Sequence, residues 1–442
     1  MNPALIRQHG VLGSGRVFVR ASGTRVWDDE GRAYLDFAAG NGAAVLGHNH
    51  PRLAERVTAL LAEQPVNLIT VGPGILAADL AEELVERAGR PFEIALFSST
   101  GGEAIEAALK VARAATGRFR IVSCEEGFHG LSLGGLSLSG EERLRKPFEP
   151  LLDGCERVRY GDLLGLEKKL KRKDVAAFIV EPIAKEFGVL PAPGGYLQGA
   201  QQLCRETGTL FVVDESQIGL GRTGTLFAFQ AEDDVVPDVL VLADSLGGAL
   251  VPVAATLVSA DTHQKAYGSS RSFDLHDSTY AGSALGSAVA LATLSALDEG
   301  RLVRKARERG DQLLDGLKTR LKGHPLVKDI RGRGLLVGIE LGPTESGLIN
   351  WLIPGVVGGL SELVFGQWAA LKLLERGILC QPAARGANVL KLTPPLTVKA
   401  LEIKKVVDAV AGVLSDYRDI ASLIKDVTLR ISGQLLSGQG FR

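Results

Sequence analysis

Short apolar runs, each followed by a longer stretch with helical spacing, recur from residue 94 to residue 242 of this chain. The runs are Ile94-Ala95-Leu96-Phe97, Arg120-Ile121-Val122-Ser123, Ala177-Phe178-Ile179-Val180, Leu210-Phe211-Val212-Val213 and Val239-Leu240-Val241-Leu242. Their apolarity is continuous, whereas a strand with one wet face alternates. The pattern therefore predicts a mostly parallel sheet covered by helices on both faces, an α/β fold. Glu103 to Arg113 has apolar positions at helical spacing directly after Gly101-Gly102, and Leu335 to Leu341 reads as the opening of a second, smaller sheet.

Polar residues fall at the ends of these runs: Ser98-Ser99-Thr100, Ser123, Glu181, Asp214 and Asp244. Open parallel sheets bind ligands at the carboxyl ends of their strands, so these groups should converge on one rim. Thr100-Gly101-Gly102 lies between a strand and a helix start, where free N–H groups and the helix dipole favour an anion. A Gly-Gly turn in that place is also an ordinary tight connection.

Composition removes several function classes. A net charge of −1 over 442 residues, with no basic run, leaves no footprint for nucleic acid. Cys124, Cys155, Cys204 and Cys380 have no metal or redox spacing, so no metal site and a reduced, cytoplasmic setting are expected. The first residues carry no charged-then-apolar signal region. Leu348 to Phe365 is apolar, but Pro354, Asn350 and Glu362 interrupt it, whereas a membrane span needs about 20 nearly uncharged residues. Packing inside a small domain or at a subunit interface is the expectation there.

Taken in order, these segments resemble the class III (ornithine/acetylornithine-type) aminotransferases. The resemblance runs from about Val17 to about Val413. It implies a fold-type I architecture dependent on pyridoxal phosphate: a large, mostly parallel sheet domain plus a smaller α+β domain. The large domain is expected at residues 71–310, and the small one from residues 1–70 together with 311–442. Ser99-Thr100-Gly101-Gly102-Glu103-Ala104 resembles the segment that holds the cofactor phosphate through Thr100, Gly101 and Gly102. Phe128-His129-Gly130 resembles the triplet whose aromatic ring stacks on the pyridine. Asp214 matches the carboxylate that pairs with the pyridine nitrogen, Gln217 the residue near the ring's phenolic oxygen, and Glu181 joins them at the rim. Ser216 replaces the apolar residue usual on that face. Ser278-Thr279-Tyr280-Ala281-Gly282 resembles the segment whose threonine reaches a neighbouring subunit's phosphate, which implies a homodimer with shared sites. Read without the family, Phe128 is an ordinary core residue and Thr279 part of a surface turn.

Besides Ser216, three positions depart from the family: Asp244, Lys391 and Lys185. Pro237 to Gly248 resembles the segment carrying the lysine that binds the cofactor covalently, and that position is Asp244. An aspartate cannot form the bond, so the cofactor, as pyridoxal phosphate or pyridoxamine phosphate, is expected to be held noncovalently. In Val389 to Leu396, the arginine that grips a substrate carboxylate is replaced by Lys391, which cannot offer a planar fork. A small amine or aldehyde without an α-carboxylate, apolar or carrier-bound, becomes the expected substrate. Glu181-Pro182-Ile183-Ala184-Lys185-Glu186 keeps the substrate-side carboxylate at Glu186, while Lys185 replaces a small residue. The plain reading of Lys185 is a solvated loop lysine.

Asp244, Lys185 and His129 are the candidates for the missing acid–base group. The alternatives are a catalytically silent homologue or partner subunit, and a cleft turned to chemistry needing no pyridoxal cofactor. After Asp416, the spacing of Ile420, Leu423, Ile424, Val427 and Leu429 predicts an amphipathic helix.

Overall fold

The computed structural model describes residues 15–69, 71–342, 357–386 and 388–417. Its centre is a seven-stranded sheet. In spatial order the strands are Ile94–Ser98, Ala254–Val258, Val239–Leu242, Leu210–Glu215, Val175–Val180, Arg120–Cys124 and Cys155–Val158. The last five pair parallel to one another, and Ala254–Val258 runs antiparallel to both of its neighbours. Every residue of Val175–Val180, Arg120–Cys124, Val239–Leu242 and Ala254–Val258 is buried, as strands covered on both faces require. The fold is α/β with a large, mostly parallel sheet, the fold-type I architecture.

The helix Gly101–Thr116 lies across this sheet. Its start is set by Thr100, whose side chain accepts from the Glu103 N–H, and Glu103 returns the bond by accepting from the Ser99 N–H at 2.7 Å. Gly117, in the left-handed region at φ 65°, ends it. The buried stripe is Ala104, Ile105, Ala107, Ala108, Leu109, Val111 and Ala112. Small residues there let the helix sit close to the strands, and Thr256 on the reversed strand donates to Ala104 O at 2.9 Å.

Two smaller sheets flank the large one. Val327–Arg333, Leu336–Leu341, Val389–Leu392 and Gln381–Pro382 form an antiparallel sheet. Phe18–Ser22, Arg25–Asp28 and Ala33–Asp36 form a meander completed by Ile378–Leu379, parallel to Ala33–Asp36. Residues 348–356 of the Leu348 to Phe365 stretch, and the tail expected to be an amphipathic helix, lie outside the described residues. Among the described residues no helix is long and apolar enough to cross a membrane.

Arg222 ties these parts together. It is fully buried and donates to Leu335 O at 3.1 Å, Pro394 O at 2.9 Å and Gly42 O at 2.9 Å. Burial pulls its guanidinium down to about 10, still charged at neutral pH. Three carbonyls from separate segments thus share one cation. Each buried carbonyl left without its donor costs about 1–3 kcal/mol. Arg222→Met should therefore lower the unfolding free energy by at least about 3 kcal/mol, read as a lower urea midpoint at unchanged slope.

Candidate active site

The carboxyl ends of the parallel strands converge as open-sheet geometry requires. Asp214 is the penultimate residue of the central strand Leu210–Glu215, 2% exposed. Its Oδ2 lies 2.7 Å from His129 Nδ1, and its Oδ1 accepts from the Ser216 N–H at 2.9 Å. His129 is itself 1% exposed, so the pair is sealed from bulk water on that side.

The start of the Gly101–Thr116 helix comes down beside this carboxylate. A Cβ on Gly101 would stand 3.3 Å from Ala243 Cβ and 3.5 Å from Ser216 Cβ. Gly101 and Gly102 occupy the first turn, where backbone N–H groups have no intrahelical acceptor. Glycine at 101 is favoured by tight space rather than by φ. Three sequence-predicted elements, Thr100-Gly101-Gly102, Asp214 and the approach to Asp244, thus meet in one cleft.

Glu181 follows Val175–Val180 and accepts from the Phe128 N–H at 2.9 Å. Burial, reinforced by Asp214, pushes its carboxyl well above the usual carboxylate range. Glu181 thereby fixes the backbone of the half-buried Phe128. The Arg385 guanidinium lies 4.9 Å from the centroid of the Phe128 ring, covering one face, and donates to Gly127 O at 2.9 Å.

Lys185 overturns the plain reading of its sequence. It is no solvated loop lysine: its exposure is 0%. Its Nζ donates to Asn41 O at 2.6 Å and to Gln217 Oε1 at 3.1 Å, and lies 3.7 Å from Glu186 Oε1. Lys391, also 0% exposed, donates to Glu186 Oε1 at 2.6 Å and to Asn41 Oδ1 at 2.6 Å. Glu186 accepts further from Asn41 Nδ2 at 2.9 Å and from the Ala384 N–H at 3.1 Å. One carboxylate therefore faces two buried amines. Burial alone would raise Glu186, but Lys391 and Lys185 outweigh it and hold the carboxyl at about 2. Burial first, then the Lys391 charge, bring Lys185 down to about 7, while Lys391 is lowered by burial and supported by Glu186.

Asp244 comes two residues after Val239–Leu242, with its backbone in the left-handed region at φ 21°. Its side chain is open to the cleft, yet enough protein surrounds it that desolvation raises its carboxyl above the ordinary range, opposed by Lys185. Thr279 is exposed on the loop before the helix Ala284–Glu299, and the neighbouring Ser278 donates to Glu103 Oε2 at 3.1 Å. Among the described residues no group of three or more His, Cys, Asp or Glu could hold a metal ion.

Sequence reasoning missed Asn41 and Arg385. Asn41 sits between Gly40 and Gly42, all three at positive φ, and the Gly-Asn-Gly triplet was the available signal of a special turn. Nothing local marks Arg385; only the folded chain brings it to Phe128.

A family model described as Aminotransferase class-III matches residues 8–414. The chain is 35% identical to Aminotransferase PigE of a Serratia species over 94% of its own length, but spans only 52% of that relative. It is 34% identical to ornithine aminotransferase 1 of Staphylococcus aureus, covering 90% of this chain and 95% of that one. The ornithine aminotransferase structure from Toxoplasma gondii matches with TM-score 0.81 and 32% identity over 91% of this chain and 90% of that one. The omega transaminase structure from Pseudomonas jessenii, in complex with PMP, matches with TM-score 0.83 and 26% identity over 94% of this chain and 95% of that one.

The shared carboxylate generates a test. Glu186→Gln would leave two buried amines without their counter-charge, a change that typically costs about 3–5 kcal/mol. Glu186 is held at about 2 in the folded protein against an ordinary 4.5, so its contribution is present above 4.5 and fades as pH falls toward 2. Urea unfolding of wild type and variant should differ most near neutral pH and converge in acid.

Proposed function

This chain belongs to the class-III aminotransferase family, and on that footing we propose that its cleft holds pyridoxal phosphate or pyridoxamine phosphate noncovalently and acts on an amine or aldehyde. The observation that carries the reading is the meeting of a buried Asp214 carboxylate, braced by His129 and Ser216, with the free N–H groups of Gly101 and Gly102. A pyridine nitrogen and a phosphate are complementary to those two features, so the residues present fit the cofactor. Phe128 offers the ring face that Arg385 does not cover, Gln217 a polar contact at the ring edge, and Thr100 and Glu181 complete the rim. Thr279 would serve the site of a second copy in a homodimer.

When bound, the cofactor supplies an electron-accepting ring that receives an amino group from one substrate and returns it to another. The protein's part begins with Asp214, which keeps a positive charge favourable at the ring nitrogen. His129 orients that carboxylate and neutralises part of its charge. Asp244 replaces the lysine of the family, so no covalent tether can form at that position. The acid–base group must come from Asp244, Lys185 or His129.

The substrate side is closed to free carboxylates. The Lys391 ammonium, which stands where the family grips one, is already matched by Glu186 and Asn41. Glu186 spends its charge on that lysine. The cation that an α-carboxylate would meet at position 391 is thus already paired, which supports a substrate without one. Leu131 and Leu133, just beyond the Phe128-His129-Gly130 triplet, and Phe187, just beyond Glu186, are exposed, which supports an apolar or carrier-bound substrate.

A catalytically silent homologue or partner subunit is the second reading, favoured by the aspartate at 244. One experiment separates the two. After loading with pyridoxal phosphate and dialysis, the protein should retain a free-aldehyde absorbance that shifts on adding an amine donor. Retention with no response to any amine would support the silent reading, and no retention would sink both. Asp244→Lys should convert the free-aldehyde band to that of a lysine adduct. Borohydride should then fix the cofactor to residue 244 in this variant and to no residue in the wild type.

A further inference from the structure

We propose that Lys185 is the catalytic base of this cleft, positioned by Asn41 and Gln217. The inference rests on the reading of the cleft as an amine- or aldehyde-handling site, and assigns the role that Asp244 leaves open.

Geometry separates the three candidates. His129 is committed behind Asp214: its Nδ1 meets the carboxylate, and its buried Nε2 points at Gly127, where an added Cβ would lie 2.8 Å away. It braces Asp214 from the far side. Asp244 is the exposed one of the three, and although desolvation raises its carboxyl, it starts from the acidic carboxylate range and is the weaker base toward a carbon-bound proton. Lys185 is closed off from bulk water, with its amine on the Gln217 side of the cleft.

Its bonding explains why it, and not Lys391, would be the one to lose a proton. Both amines compete for the Glu186 carboxylate. Lys391 wins, at 2.6 Å with a hydrogen bond, while Lys185 is left at 3.7 Å. Lys185 instead donates to two neutral oxygens, Asn41 O and Gln217 Oε1. An amine with two N–H groups so bound keeps one lone pair, and needs no third proton to satisfy its partners. The charged groups that act on it are Lys391 and Arg222, which disfavour its ammonium form, and Glu186 and Asp244, which favour it. Burial and Lys391 prevail, bringing it to about 7, where a general base works best near neutral pH.

The step balances without an added oxidant or reductant. The bond from carbon to hydrogen at the amine-bearing carbon of the substrate breaks, and a new N–H bond forms on Lys185 Nζ. The cofactor, held by Asp214 and the Gly101 and Gly102 N–H groups, would supply the electron-accepting ring for the pair left on carbon. To reach the substrate, the amine exchanges the longer of its two hydrogen bonds, to Gln217, for contact with the ligand. Asn41 O remains its anchor.

The test uses the full chain loaded with pyridoxal phosphate. Lys185→Ala and the nearly isosteric Lys185→Met should retain the cofactor absorbance through dialysis. Both should lose on the order of 10²–10⁴ in the rate at which an amine donor deuterated at its amine-bearing carbon exchanges label with water. The wild-type rate should rise with pH through about 7, as the amine loses its proton, and the variants should lack that rise. Added ethylamine should restore exchange to Lys185→Ala in proportion to its concentration, which a merely structural role would not allow. Variants that keep the cofactor and exchange at the wild-type rate overturn the proposal. Failure of the wild type itself to retain cofactor would instead count against the reading of the cleft. Lys185 can then still be probed in the unloaded protein by formaldehyde with cyanoborohydride. Methylation of Lys185 that rises through about pH 7 while surface lysines remain slow supports a reachable neutral amine. No methylation of Lys185 at any pH overturns it.

Discussion

Two buried amines share one carboxylate, and much of the rim is arranged around that shortage. Glu186 can neutralise only one of Lys185 and Lys391, and the shorter contact goes to Lys391. Buried ion pairs are weak sources of stability, because removing two charges from water costs nearly what their attraction returns. An unmatched buried ammonium is worse, and the chain relieves it by letting Lys185 approach neutrality. Asn41 is the third party that makes this workable. Its carbonyl takes a bond from Lys185, its Oδ1 one from Lys391, and its Nδ2 donates to Glu186.

Asn41 in turn depends on the segment that carries it. Asp36 Oδ1 accepts from the Ala38 and Ala39 N–H groups, while its Oδ2 lies 2.7 Å from His48 Nε2. Thr393 donates to Ala38 O, and Arg222 to Gly42 O. The glycines on either side of Asn41 release the backbone into a turn that other residues resist. The chemistry of the cleft is therefore set by residues that would be read, one at a time, as ordinary turn and core.

Much of this was legible in sequence, and the rest was not for identifiable reasons. Continuous apolar runs ending in polar residues located five strands and the rim, because burial on both faces leaves no alternation to read. Two strands of the sheet escaped, the reversed Ala254–Val258 and the edge strand Cys155–Val158, whose partly buried, charge-containing run does not read as apolar. Lys185 was misjudged because charge alone suggests solvent. Its burial depends on Asn41 and Gln217, which lie far from it in sequence. Lys391 and Asp244 stood out only as departures from a family pattern, and their partners became visible once the chain was folded. Arg222 gave no such signal, since a lone arginine in a Gly-Arg-Thr-Gly stretch does not announce three backbone acceptors.

The strand Ala33–Asp36 pairs with Ile378–Leu379, and Lys391 bonds to Asn41 across 350 positions of sequence. A ribosome must therefore release the chain past residue 391 before this cleft can close. Until then the early meander lacks its fourth strand, and Asn41 has no late lysine to hold. Long-range closure of this kind is slow, and exposes unpaired strand edges while it waits. The nascent chain thus passes through a period when its central sheet can form but its reactive amine has no counterpart, so chemistry is acquired last.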